Sequence, residues 1–153
     1  MVKKWTLQSS LPPTPNEEKL SATFRAKRDI FDKLQSIAFQ NESIAFRIGK
    51  TDADSSGLSA NQLRETRYLL STIDPDAILI MNREEQILSF IFQGGGSQLP
   101  TGPQWSIGIE YIPKDVEKHG RIVNTFKDID LNAEGFIYLL PLDTHWYCYY
   151  QNY

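Results

Sequence analysis

The stretch GFIYLLPLDTHWYCYY, residues 135–150, decides how this chain of 153 residues folds. Two runs of β-branched, aromatic and long apolar residues flank Pro141-Leu142-Asp143-Thr144, and this composition predicts a strand, a turn and a second strand. Seven aromatic residues lie between Phe136 and Tyr153. We therefore expect this hairpin to supply a large share of the core.

The second strand of the hairpin has two chemically distinct faces. Successive side chains point to opposite faces of a strand, so Trp146, Cys148 and Tyr150 are predicted to face the core. Tyr147 and Tyr149 then lie on the other face, where Tyr is typical of partner-binding patches. The alternative is that the long N-terminal helix covers this face.

The residues before the hairpin predict further strands. Between Trp105 and Tyr111, apolar residues alternate with small or polar ones, which predicts a half-buried strand beside the hairpin. Residues 77–81 and 86–93 predict two strands joined by a polar turn. The segment Gly94–Pro103 holds four of the nine glycines and two of the eight prolines, so we expect it to be a loop throughout.

The N-terminal half predicts a long helix. Thr14 is suited to be its N-cap, Pro15 its first residue and Glu17 the third residue of a capping box. Apolar residues then recur at three- and four-residue spacing to about Gln40, which is typical of a helix packed on a sheet.

A second helix is predicted from Ala60 to Ile73, where Ser59 and Gln62 form another capping box. Weaker patterns predict strands within residues 2–9 and 44–48, and a polar loop over residues 51–57.

Together these elements predict a single domain, residues 1–153, of the α+β class. We expect an antiparallel sheet of about six to eight strands, with the two helices of the N-terminal half packed on one face. The strands follow one another in hairpins toward the C-terminus, and this order disfavours a parallel, doubly wound sheet.

The composition limits the possible functions. The formal net charge of -3 gives no basic footprint for nucleic acid, so no nucleic-acid partner is expected. The apolar runs are too short to span a bilayer and no signal-peptide pattern is present, so we expect no membrane partner. The single cysteine, Cys148, is expected in the core, and a cytoplasmic location follows as the default.

No motif predicts a metal or cofactor. The segment from Asp52 to Gly57 resembles the first half of an EF-hand calcium loop, with Asp at its first and third positions and Gly at its sixth. Position twelve is Leu63 instead of the bidentate Glu that such a loop requires. A capped turn that enters a helix explains the same residues, so we expect no metal and no cofactor.

Two functional hypotheses follow. The first is a non-enzymatic interaction module, such as a small acidic inhibitor or an immunity-type protein that binds a larger protein. Its expected contact residues are Tyr147, Tyr149, His145, Asp143, Gly95 and Gln98. The second is a small-ligand-binding protein or a hydrolase-type enzyme, with a pocket beside Gly94–Pro103 and polar groups from Glu110, His145 and Asp143. A non-enzymatic role is the preferred interpretation.

Overall fold

The computed structural model of the protein describes residues 13–40, 45–50, 53–55, 58–82, 84–96, 104–131 and 135–152. Its helices are α1 (Glu17–Ala26), α2 (Arg28–Gln40), α3 (Ala60–Ile73) and α4 (Val116–His119), with a 3-10 helix at Phe126–Asp128. Its strands are β1 (Ala45–Ile48), β2 (Ala53–Ser55), β3 (Ile78–Asn82), β4 (Ile87–Gly96), β5 (Gln104–Tyr111), β6 (Arg121–Ile122), β7 (Phe136–Asp143) and β8 (Trp146–Asn152). The strand predicted within residues 2–9 lies outside the described residues.

The strands form one sheet in the order β2-β1-β3-β4-β5-β8-β7-β6. All neighbouring pairs are antiparallel except β6 and β7, which run parallel. This arrangement confirms the prediction of an α+β fold with a mostly antiparallel sheet. The hairpin of β7 and β8 pairs with β5, as the alternating pattern of that strand indicated.

The predicted long helix is divided into α1 and α2. Asn16 is the N-cap in place of Thr14, and its side-chain oxygen accepts a hydrogen bond from the Lys19 backbone N–H at 3.1 Å. The first helix ends at Lys27, whose backbone N–H still bonds to the Thr23 carbonyl at 3.0 Å. The prediction of one continuous helix was therefore wrong. The spacing of apolar residues alone does not reveal that a helix is interrupted at a single residue.

The other local predictions were confirmed in part. α3 has the predicted bounds, and both hydrogen bonds of the Ser59–Gln62 capping box are present. The predicted polar loop over residues 51–57 instead contains β2, which pairs with β1. The composition of this segment indicated a loop and did not reveal the short strand within it.

The glycines after Gln93 do not form a loop. Gly94, Gly95 and Gly96 continue β4 and pair with the start of β5. The Trp105 side chain lies over Gly95, where a Cβ atom would be 2.9 Å from Cζ2 of the indole. These glycines therefore extend the strand, because their missing side chains leave room for a ring from the neighbouring strand.

The sheet has two faces, and both are covered in its central part. The first face carries Phe90, Ile109, Trp146 and Cys148, and it packs against residues of α1, α2 and α3 in one large hydrophobic cluster. The second face carries Ile87, Leu139 and Tyr149, which form a smaller cluster with Ile112 and Val116. β5 is consequently buried on both faces, and the expectation that it is half-buried was wrong.

β7 lies near one edge of the sheet. β6 pairs with only Tyr138 and Leu139 of this strand, and the strand then contains a bulge between Pro141 and Asp143. β7 continues to Asp143, so the turn of the hairpin is Thr144 and His145 and not the four residues that were predicted. His145 accommodates the tight turn with a φ of 67°.

Candidate functional site

The predicted division of the hairpin into two faces is present, but the tyrosine face is not open. Trp146 and Cys148 are buried on the first face, and burial raises the pKa of the Cys148 thiol to about 12. Tyr149 is only 2% exposed and Tyr147 is half-buried on the second face. The residues that cover them belong to 112–116, so the alternative in which the long N-terminal helix covers this face was wrong, and partner binding by Tyr147 and Tyr149 stays a prediction.

Asp143 and His145 lie exposed at the turn of the hairpin. Asp143 accepts a hydrogen bond from the Thr144 backbone N–H at 2.7 Å and pairs with the Arg28 guanidinium. These two contacts lower the pKa of the Asp143 carboxyl below its ordinary value. Arg28 also bonds to Asp32 and stacks over the Phe24 ring, so Asp143 joins the turn to the start of α2.

Gly95 lies at the opposite end of the sheet from that turn. It pairs with Trp105 at the start of β5, whereas Asp143 pairs through β8 with the end of β5 at Tyr111. The length of β5 separates the two positions by about 20 Å. Gln98 lies outside the described residues. The predicted contact residues therefore do not form one continuous surface.

A pocket of about 280 Å³ lies beside the glycines of β4. It is formed by the start of α1, the end of α3 and the central strands, with Leu20, Phe92 and Ile107 as apolar walls and Lys19 and Asp74 as charged groups. The polar groups that the enzyme hypothesis assigned to such a pocket are elsewhere. Glu110, His145 and Asp143 are not among its lining residues.

Glu110 pairs with the other histidine of the chain. It is 4% exposed on the second face of β5, and its Oε1 lies 3.1 Å from Nε2 of His119 in α4. The Ser89 hydroxyl of β4 donates a hydrogen bond to Oε2 of the same carboxylate at 2.6 Å. The hydrogen bond to Glu110 is the main reason that the pKa of His119 is raised above its ordinary value. In the sequence, the signal for this pair is an acidic residue, Glu110, on a face of β5 that the rest of the chain covers.

This network satisfies a buried carboxylate and does not form a nucleophile. In a nucleophilic site, the serine hydroxyl bonds to the histidine that removes its proton. Here Ser89 and His119 both bond to Glu110, which lies between them. The arrangement can bind and release a proton at His119, but it does not activate Ser89.

A second candidate surface lies at the edge of the sheet formed by β6 and β7. Ile122 is 46% exposed and Phe136 is 48% exposed, and both line the same open groove. The Phe136 ring stacks on Tyr138, and Tyr138 stacks on Tyr150, with centroids 6.1 and 6.3 Å apart. We call Ile122 and Phe136 the edge surface, and the buried Tyr138 ring supports it. The sequence did not reveal this surface, because Phe136 was assigned to the core and residues 114–132 were interpreted as polar and irregular, with at most a short strand around residues 121–126.

Charged residues surround the edge surface. A neighbouring groove of about 400 Å³ is lined by Ile122 and Tyr138 together with Arg121, Asp128 and Asp130, all three of which are exposed. Leu131, which follows Asp130 of this groove, is hydrogen-bonded to a core residue. The Tyr150 hydroxyl donates to the Leu131 carbonyl at 2.8 Å. Burial raises the pKa of this hydroxyl to about 12, so it stays protonated as a donor.

A metal site and a membrane-spanning helix each require features that the described residues lack. Within them, no three His, Cys, Asp or Glu side chains are grouped so that they could hold a metal ion. None of the helices in the same part of the chain is both long and apolar enough to cross a membrane. Of the segment that resembles an EF-hand loop, Ala53–Ser55 is strand β2, and the rest lies outside the described residues.

Comparison of the chain with protein-family models, with curated proteins and with solved structures finds no match.

Proposed function

We propose that this protein is a non-enzymatic interaction module that binds a larger protein through the edge surface, as a small acidic inhibitor or an immunity-type protein does. The observation that carries the proposal is the exposure of Ile122 and Phe136 beside one groove. Large apolar side chains grouped on the surface of a small domain are typical of protein-binding sites.

The edge surface is held in place before any partner binds. Phe136 belongs to a stack of three rings, and the innermost ring, Tyr150, is fully buried. A side chain that is already fixed loses little conformational entropy on binding, so more of the contact energy is available as affinity. Phe136 is therefore suited to act as an anchor residue.

The net charge of the chain favours a basic partner, although Lys118 and Arg121 line the open groove together with Glu117. Asp128 and Asp130 are exposed in the adjoining groove, and the whole chain has a formal net charge of -3. Charge complementarity accelerates association and excludes partners of the wrong sign. Small acidic inhibitors of enzymes with basic clefts use this principle.

The second candidate function is binding of a small ligand, and the pocket of about 280 Å³ beside β4 favours it. This pocket combines apolar walls with the charged groups Lys19 and Asp74. A thermal-shift screen against metabolites would support this candidate if a compound raises the Tm of the wild type and a Leu20→Trp variant, which fills the pocket, does not respond.

The interaction proposal is tested by capture of a partner from lysate of the source organism. The baits are the wild type, an Ile122→Ser/Phe136→Ser variant and a Tyr68→Ser variant, each shown to be folded by circular dichroism. Tyr68 is the matched control, because it is 68% exposed on α3, away from the edge surface.

We expect one stoichiometric partner on the wild type and on Tyr68→Ser, and an affinity lower by tenfold or more, which is about 1.4 kcal/mol, on the double variant. Equal capture by the double variant would contradict the assignment of the surface. Absence of any partner on the wild type would count against the function itself.

A further inference from the structure

The segment of residues 112–123 crosses the second face of the sheet and is attached to it at both ends by backbone hydrogen bonds. At its start, the Ile112 backbone N–H donates to the His145 carbonyl at 2.8 Å. At its end, the Val123 backbone N–H donates to the Leu139 carbonyl, also at 2.8 Å. Just before Val123, β6 pairs with Tyr138 and Leu139 of β7. Between Ile112 and β6, Ile112 and Val116 pack in the cluster that contains Tyr149, and no residue of the short helix α4 is fully buried.

In the middle of the segment, His119 and Glu110 form the polar contact with the sheet. The Glu110 carboxylate is almost fully buried, and burial of a charged carboxylate is unfavourable unless hydrogen bonds and an opposite charge compensate it. Ser89 supplies one hydrogen bond at 2.6 Å. A protonated His119 supplies the second contact and the positive charge.

His119 is within reach of solvent protons. It lines a cavity of about 310 Å³ between its own segment and the turn before β4. The charged groups that face it there are Glu84 and Glu85 from that turn and Lys114, Asp115 and Lys118 from its own segment. The nearby groups on the sheet are Glu110 and the uncharged Ser89.

We infer that residues 112–123 form a proton-controlled cover over Tyr147 and Tyr149, held closed by the pair of protonated His119 and Glu110 and loosened when His119 loses its proton. Opening of the cover exposes the tyrosine face, which is a surface distinct from the edge surface. The inference does not depend on the proposed function.

The direction of the pH effect follows from the closed state. The pKa of His119 is raised there by Glu110 and, to a smaller extent, by Glu85. The stabilisation of the closed state is therefore complete below the ordinary histidine pKa of about 6.5 and is lost as the pH rises through the higher pKa of the closed state. The cover opens more often in mildly alkaline solution.

Amide hydrogen exchange followed by NMR tests this inference on the intact protein. The reporting amides are those of Gly120 and Val123, which donate to the Val116 and Leu139 carbonyls. After correction for the intrinsic exchange rate, we expect their protection factors to fall by about threefold or more between about pH 5.5 and 8.5. The reference amide is Leu63 in α3, which packs on the first face and should show no such fall. A smaller fall at Gly120 and Val123 overturns the inference.

The two histidines of the chain provide matched variants. His119→Gln keeps a side chain that can donate to Glu110 but cannot gain a charge, so the protection factors should become independent of pH. His145→Asn removes the other imidazole ring and keeps a residue that tolerates positive φ, so the fall should persist. The same fall in His119→Gln as in the wild type overturns the inference.

A direct titration of the wild type decides the question if a variant does not fold. NMR chemical shifts of the His119 imidazole ring give its pKa. We expect this pKa to exceed the ordinary histidine value of about 6.5 and to coincide with the midpoint of the fall in protection. A His119 pKa at or below about 6.5 overturns the inference.

Discussion

The first face of the sheet packs against three helices through aromatic rings, whereas the second face is covered by a short segment and contains a buried carboxylate. On the first face, the Phe31 ring lies 4.9 Å from Phe90 and 5.7 Å from Trp146, measured between centroids. On the second face, Glu110 takes the place of such a ring and needs His119 and Ser89 as partners. The first face thus contributes stability that is insensitive to pH, and the second contributes an attachment that a proton can change.

The largest effect should come from the aromatic cluster. Phe31 is fully buried, so Phe31→Ala removes its contacts with three rings and leaves a cavity, and we expect a loss of about 4 kcal/mol in the free energy of unfolding. Val116→Ala on the second face should cost only about 1 kcal/mol, because this side chain is half-buried. Urea denaturation measures both, and similar losses would mean that the two faces contribute alike.

Gly108 tests how closely the strands under the second face approach one another. A Cβ atom at this position would lie 1.8 Å from the Phe90 carbonyl oxygen and 2.9 Å from the Tyr149 ring. We expect Gly108→Ala to destabilise the protein by about 3 kcal/mol through a forced backbone shift. Gly94→Ala is the control, since its Cβ would only reach ordinary contact distance, and its loss in urea denaturation should stay below about 1 kcal/mol.

Glu110→Gln should remove the pH dependence of the free energy of unfolding that the second face contributes. In the wild type, we expect the free energy of unfolding to decrease between about pH 6 and 8.5, because the raised pKa of His119 makes its stabilisation disappear as the proton leaves. Loss of the charged partner should cost about 1.5 kcal/mol near pH 6 and less at pH 8.5. Urea denaturation at the two pH values measures this, and a variant that keeps the pH slope of the wild type would contradict the assignment.

The smallest effect concerns a helix that packs on the first face. Ser59→Ala removes the N-cap of α3, whose hydroxyl accepts from the Gln62 backbone N–H at 3.1 Å. We expect a loss of about 1 kcal/mol in the midpoint-derived free energy of unfolding. Ser71→Ala is a useful comparison, because its hydroxyl bonds to a carbonyl within the same helix and should contribute less.

Local patterns in the sequence predicted most of the elements but not how they are covered. The capping box at Ser59 and the alternation along β5 depend on neighbouring residues, so α3 and β5 were found. The burial of Tyr149 depends on Ile112, which comes from a distant part of the chain and from a segment without periodicity. Alternation can assign Tyr147 and Tyr149 to one face, but it cannot show which segment crosses that face.

The candidate sites were less predictable for the same reason. Glu110 was recognised as a possible functional group, but it was grouped with His145 because that residue lies near the hairpin turn. The observed partner, His119, is brought to Glu110 by the path of residues 112–119 and not by any sequence spacing. Phe136 and Ile122 line one groove only because β6 adds to β7 in parallel, which short apolar runs do not indicate.

The bulge at Pro141 has a consequence for how copies of this protein meet in concentrated solution. An edge strand with a free backbone ladder can template the addition of identical chains, which is the first step toward fibrils. On the side of β7 away from β8, none of the described strands pairs with β7 beyond Leu139, so that part of the edge is where such growth would begin. Pro141 lacks a backbone N–H and the adjacent bulge shifts the register, so a second copy finds no regular ladder there.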